Sequence, residues 1–391
     1  MAETTAVAGI SLSDLNLDYN AIWVLLVTVA AFLVPIVLVF PPFPPQKSDA
    51  LLQTHSKAGV GRGESNLQDQ SSLAAAAATG ASPRIQSLVI YPVKSCRGIE
   101  VSQSRVLPSG LEFDRIYTFA QLRGRFPAPV DVDADADADA DKKGEKSQDA
   151  WEFITQRQFP RLATVKVDLW VPDEAKMRRQ GLDPIADAFL ILRFPWRDLG
   201  WRGALQTLAA KLAERSWAAE AEREVMLPVG FPSGDEVREK GYEYEDVRIW
   251  KDTVSALNVE GELPAELRLY LGVSHRLGLF RVDPARLREV YRCAPRKAEA
   301  GYQPVTGFQD AYPLHILNLP SLQDFSSQVP KDEALQELDV LRFRPNIIVN
   351  GAPAYDEETW KQVRFKPGDS GLYNDAIFHV SCRTVRSVVL A

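Results

Sequence analysis

The chain has 391 residues, 46% of them hydrophobic and 25% charged, with 45 Lys and Arg against 52 Asp and Glu, a net charge of −7 and a pI near 5.4. That length carries two or three domains with real cores and excludes a disulfide-stapled miniprotein, and the composition excludes wholesale disorder. The acidic balance, with no basic stripe to offset it, argues against a nucleic-acid partner. Three scattered cysteines, Cys96, Cys293 and Cys382, are too few for a disulfide framework or a zinc site and suit a reducing compartment.

In chain order, the first signal is the uncharged run Ala21 to Phe40, of the roughly 20 residues that a helix needs to cross a bilayer. Pro35 lies inside it and PPFPP, Pro41 to Pro45, stops it. A secretory signal would carry a positive n-region, whereas Glu3, Asp14 and Asp18 are the charges before the run. Residues 1–45 are therefore expected to be a membrane anchor with its helix over 21–40. Lys47, Lys57 and Arg62 follow it and place the bulk of the chain on the cytosolic side. Residues 46–82, rich in Ser, Gly, Gln and Ala, read as a flexible linker.

Strand periodicity then appears at Ile85–Val93, Arg115–Leu122 and Leu162–Val171. Between the second and third, residues 130–149 alternate Asp with small residues, which suits a solvated loop at a hairpin tip; the glycine and terminal glutamate of a calcium loop are missing. Helical patterns cover Gly203–Glu224 and Pro264–Leu271, and strand-like segments return at Pro313–Leu319 and Phe343–Gly351. The fold class expected is mixed α+β and strand-rich, in two soluble units.

Candidate chemistry sits where strands end. In IYPVKSCRGIEV, Lys94, Ser95 and Arg97 follow the strand and Gly98 permits a close backbone approach. The group can grip a phosphate, or it can be a solvated turn with one buried cysteine. Arg115 opens a strand beside Asp114, either to pair with it or to offer a planar fork to an anion. Arg157 and Arg161 flank a Pro-marked bend, and Arg344 and Asn346 fall in FRPNI. His315 and His379 lie in strand-like segments and suit backbone hydrogen bonds better than metal; His275 reads as surface and Cys293 as structural. No hydrolase triad, phosphate loop or dinucleotide fingerprint is visible.

The ordered set YPVKSC, GL with DR, QRQFPRL, FQDAYPLHILN and FRPNI resembles the MOSC superfamily of molybdenum-cofactor proteins, in particular the membrane-anchored amidoxime-reducing components and their fungal relatives. The resemblance covers about residues 84 to 386. It implies an N-terminal MOSC β-barrel domain over 83–272, interrupted by 130–149, and a C-terminal MOSC β-barrel domain over 273–391, behind a single N-terminal transmembrane helix. It implies a Mo-pyranopterin cofactor held by Lys94, Ser95, Arg115 and Arg344, with Asn346 beside them. Ala311 and Tyr312 replace the small hydroxyl residues that the animal proteins carry near the pterin. The family's thiolate ligand to molybdenum aligns with Ser387, and the nearby thiol is Cys382, named here as the catalytic metal ligand by a shifted register. The alternatives are a relative without the ligand and a chain truncated at its C-terminus, which the abrupt end of the match favours.

The activity so implied is reduction of N-hydroxylated compounds of the amidoxime type, with electrons from a b-type haem cytochrome and its NADH-dependent flavoprotein reductase. The location implied is the mitochondrial outer membrane or the endoplasmic reticulum. The rival is a catalytically inactive, membrane-tethered cofactor-binding or interaction module. A third reading, sulfur transfer, goes in related sulfurases with a pyridoxal phosphate domain that this sequence does not display.

Overall fold

The computed structural model describes residues 19–39, 46–70, 72–73, 82–124, 149–331, 333, 336–367 and 374–384. Contacts divide the chain into two units, Met1–Pro45 and Gln46–Ala391. The first contributes one apolar helix, Tyr19–Val39, with Pro35 inside it, close to the 21–40 expected. Among the described residues no helix is long and apolar enough to cross a membrane, so the expected transmembrane helix is not found there.

The second unit is built on a closed five-stranded barrel of Glu243–Ile249, Asp252–Asn258, Leu277–Val282, Tyr117–Arg123 and Ala150–Phe153. Closure is by a short parallel pairing, Val247 opposite Trp151 and Arg248 opposite Glu152. Small and large side chains fill the interior: Ala120, Ala256 and Val254 among Trp151, Phe280 and Phe308, with Trp151 and Phe280 edge to face at 5.1 Å. Gly278 is required there, because a Cβ would lie 2.8 Å from the Trp151 ring. Leu277–Val282, all buried, lies beyond residue 272, so the chain passes that point without leaving the barrel. Tyr117–Arg123 pairs antiparallel with Ala150–Phe153, the hairpin expected around the acidic insertion. Of that insertion only Asp149 falls among the described residues.

A four-stranded antiparallel sheet runs His55–Ala58, Lys166–Pro172, Phe189–Pro195 and Glu222–Pro228. Its first strand corrects the reading of 46–82 as a flexible linker. His55 to Ala58 pair with Pro172 to Leu169, Leu51 packs on Trp170 and Ile191, and Ser48 donates to buried Glu224 at 2.9 Å. Polar composition concealed this, because the segment is ordered by a sheet edge distant in sequence. The helix expected over Gly203–Glu224 ends sooner, at Ala213. Arg215 turns left-handed at φ 50°, and Glu222–Pro228 becomes a strand because it can pair with Phe189–Pro195.

The second four-stranded sheet joins the two ends of the unit in the order Ile316–Asn318, Ile347–Asn350, Arg84–Ile90, Ile99–Val101. The barrel expected over 273–391 is thus not seen among the described residues. Its strands at 316–318 and 347–350 are instead completed by two strands from the other end of the unit. Ile347–Asn350 lies between a parallel and an antiparallel neighbour and is fully buried. That pairing sets residues 91–97 beside residues 343–346.

Candidate functional site

Residues 93–96 leave the strand Arg84–Ile90 in a tight turn fastened to the barrel. Lys94 N–H donates to Tyr117 carbonyl O at 2.8 Å, and Val93 bridges Tyr117. Ser95, Arg115 and Arg344 each adopt a left-handed backbone, at φ 67°, 52° and 55°. Such conformations cost a non-glycine residue on the order of 1 kcal/mol and persist where surrounding structure enforces them, commonly at functional sites. Here they bring Arg115 towards Arg344, while the Ser95 hydroxyl approaches Ile154 carbonyl O at 3.5 Å.

Both cations lie over the Tyr91 ring, with the Arg344 guanidinium 4.2 Å from its centroid and that of Arg115 at 5.1 Å. Arg115 both pairs and reaches: Nη1 donates to Asp114 Oδ2 and to Asn346 Oδ1 at 3.2 Å, and Nη2 approaches Arg344 carbonyl O at 3.5 Å. Asp114 Oδ1 accepts from Tyr91 N–H at 2.8 Å and from Asn346 Nδ2 at 3.0 Å. Arg344 Nη1 donates to Cys96 carbonyl O at 2.6 Å, while its Nη2 is buried and meets no hydrogen-bond partner. Among the described residues no carboxylate forms a salt bridge with Arg344. Burial, with Arg115 nearby, pulls its pKa down to about 10, so it stays cationic at neutral pH.

Lys94 is buried, its Nζ donating to Phe308 carbonyl O at 2.7 Å and to Asp310 Oδ1 at 2.6 Å, with the Phe153 ring 5.2 Å away. Burial lowers its pKa to about 8, opposed by Asp310 and reinforced by Arg115 and Arg344. An anion on Lys94 binds the protonated form, so affinity for inorganic phosphate is expected to fall as pH rises through about 8. Above that the loss approaches about tenfold per pH unit. Calorimetric titration at about pH 7 and about pH 9.5 measures it, and Lys94→Arg should flatten the profile. Ser95 is held by Gln156, whose Nε2 donates to its carbonyl O at 2.7 Å.

Three of the five expected binders, Arg115, Arg344 and Asn346, are thereby linked through Tyr91 and Asp114. Lys94, on the same turn as Ser95, pairs instead with Asp310 and meets the other two cations through their charges alone. Arg97 is exposed, Arg157 lies over the Trp250 ring at 5.7 Å, and Arg161 donates to Tyr270 carbonyl O at 2.6 Å. Among the described residues Arg97 and Arg161 make no hydrogen bond to the cluster, and Arg157 reaches it only by way of Trp250. Sequence reasoning missed Tyr91, Gln156 and Trp250, whose Nε1 donates to Asp310 at 3.0 Å. Tyr91 stands next to Pro92 in the strand-ending motif, and only its neighbours across the sheet disclose its part.

Cys382 is exposed and lines a cavity of about 680 Å³ with Tyr312, His315 and His379. The five binders do not line it, but Asn346 adjoins its wall: Phe343 and His315 face the cavity, Asn346 N–H donates to His315 carbonyl O at 2.8 Å, and His315 N–H donates to Asn346 Oδ1 at 3.3 Å. Ser387 lies outside the described residues. Among the described residues no three His, Cys, Asp or Glu converge as a metal site. Cys96 is buried and its thiol is pushed up to about 12, whereas Cys293 and Cys382 are exposed. Iodoacetamide is therefore expected to modify Cys293 and Cys382 in the folded chain and Cys96 only after denaturation, which peptide mass mapping checks.

The protein is strand-rich, with segments from both ends of its second unit in one sheet, and it sets three buried or partly buried cations and one orphaned guanidinium nitrogen close to that sheet. Residues 82–189 match the MOSC N-terminal beta barrel domain and residues 303–391 match the MOSC domain. The chain is thus a two-domain MOSC protein. It is 21% identical over 280 residues to mitochondrial amidoxime reducing component 2 of Rattus norvegicus, covering 71% of this chain and 60% of that protein. It is 23% identical over 286 residues to molybdenum cofactor sulfurase of Oryza sativa subsp. japonica, covering 72% and 26%. The chain therefore matches less than two thirds of the length of either relative. Both relatives are named for molybdenum-cofactor or amidoxime chemistry.

Proposed function

We propose that this chain holds a molybdenum cofactor through Lys94, Ser95, Arg115 and Arg344, and reduces N-hydroxylated compounds of the amidoxime class. The observation that carries the reading is the buried Arg344 Nη2, which has no protein partner amid three cations. A buried guanidinium nitrogen without an acceptor costs about 1–3 kcal/mol, and a phosphate oxygen would satisfy it. The donor set also fits: two planar forks and one ammonium, short of a counter-charge, suit the phosphate of a pyranopterin.

When bound, the group supplies two-electron chemistry, N-hydroxyl plus two electrons and two protons giving N–H and water. The protein's part is to orient it. Asn346 and Asp114 lock the Arg115 fork, Tyr91 backs both guanidiniums, and Cys382 would offer its sulfur from the wall of the cavity that would admit substrate. Electrons would come from a b-type cytochrome served by an NADH-dependent flavoprotein. The apolar helix Tyr19–Val39 would anchor the chain with its bulk cytosolic, on the mitochondrial outer membrane or the endoplasmic reticulum.

The test is molybdenum and pterin per chain in the full-length protein made in cells that supply the cofactor, beside Cys382→Ala and an assay with a reduced b-type cytochrome and an amidoxime. Near-stoichiometric metal that the variant loses, together with turnover, supports the reading. Pterin bound without turnover would make the chain an inactive cofactor-binding module, and absence of both would remove the proposal.

A further inference from the structure

The helix Trp201–Ala213 is inside out. A surface helix of a soluble protein turns its large apolar residues inward. Here the residues it buries are Gly203 and Ala209, while Trp201, Leu205, Leu208 and Leu212, spaced i, i+4, i+7 and i+11 along one face, are exposed. Leu199 before the helix is 97% exposed and Trp217 after it 88%. The presentation is built. Asp198 N–H donates to Gln206 Oε1 at 3.0 Å and Gln206 Nε2 returns to Asp198 Oδ2 at 3.0 Å, and Gly203 is pressed so closely on Asp198 carbonyl O that a Cβ would lie 1.9 Å from it. Leu199 and Trp201 are thus held outward by a braced turn.

Cations rim the apolar face. Arg197, Arg202, Lys211 and Arg215 outnumber Asp198 and Glu214 between residues 197 and 217, in a chain of net charge −7. Arg202 lies over the Trp201 ring at 5.8 Å and Lys211 over Trp217 at 5.7 Å. Tryptophans at both ends, leucines between and cations at the margin make up the composition of a helix lying in a membrane interface, its rings at headgroup depth and its charges towards anionic lipid.

We infer that Leu199–Trp217 is a second membrane contact, lying flat on the surface of an anionic bilayer. The inference rests in part on the anchor reading above. The positively rimmed apolar face has the chemistry that suits an anionic headgroup layer.

The test uses the full-length chain reconstituted in phosphatidylcholine vesicles with about one third phosphatidylserine, with and without brominated acyl chains. Single replacements Trp201→Phe, Trp217→Phe, Trp23→Phe and Trp151→Phe assign the quenched fluorescence to each ring. Trp151 is buried in the barrel and serves as the unquenched control. Quenching of Trp201 and Trp217 is expected, falling about twofold or more in Leu205→Ser/Leu208→Ser and on omission of phosphatidylserine. Trp201 as unresponsive as Trp151 would overturn the inference, and Trp23 reports separately on the anchor. Quenched Trp23 with silent Trp201 keeps the anchor and sinks the second contact. Quenched Trp201 with silent Trp23 does the reverse. A dimer by sedimentation in detergent, with Trp201 shielded from acrylamide and silent to bromolipid, would assign the face to a second copy and also overturn the inference.

Discussion

Arg344→Ala is expected to weaken cofactor binding about ten- to a hundred-fold, while the chain still folds. The side chain makes one protein hydrogen bond, from Nη1 to Cys96 carbonyl O, and lies against Tyr91. Its Nη2 has no protein partner to lose. What disappears is a charge-assisted bond to the ligand, of about 1.5–3 kcal/mol, at about 1.4 kcal/mol per tenfold. Arg344→Lys keeps the charge and loses the fork, so it should recover only part of the affinity. Pterin content after gel filtration, or the dissociation constant for inorganic phosphate, reads the effect. Affinity unchanged in Arg344→Ala would remove the cluster as the anion site.

Asp114→Ala should instead cost the fold. The carboxylate is 5% exposed and satisfies three donors: Tyr91 N–H, the Asn346 amide and the Arg115 guanidinium. Removing it strands a buried cation and two polar groups, and breaking a buried ion pair from one side costs about 3–5 kcal/mol. At about 2 °C per kcal/mol for a chain of this size, Tm should fall by about 5–10 °C. Asp114→Asn keeps an acceptor and should fall by less. Calorimetry of the three proteins decides it, and a Tm unchanged in Asp114→Ala would mean that Arg115 finds another partner and that the network does not brace the site.

The two predictions differ in how far their residues could be read in advance. Arg344 and Arg115 announce themselves as cations at the ends of apolar strands, and Lys94 and Ser95 follow a strand closed by Pro92. Asp114 was visible as a partner, yet the sequence left open whether Arg115 pairs or reaches. The fold does both, because Arg115 turns left-handed and Asn346 arrives across the sheet to accept from it. Tyr91 gave no signal, since an aromatic residue in a strand reads as core, and it is buried. Its part as a ring shared by two guanidiniums exists only once residues 91 and 344 are neighbours.

Local pattern therefore determined what could be settled within a few residues: strands at 84–90, 117–123, 166–172 and 347–350, the helix at 265–271, the flanks of the acidic hairpin, and the positions of the cations. Periodicity and turn chemistry act over that range. Tertiary structure decided the rest. It drew residues 55–58 from an expected tether into a sheet, ended a helix at Ala213 so that 222–228 could pair, and completed the sheet at 347–350 with strands from residues 84–101. Each is a pairing between segments far apart in sequence, stabilised by backbone hydrogen bonds and burial that no single segment carries within itself.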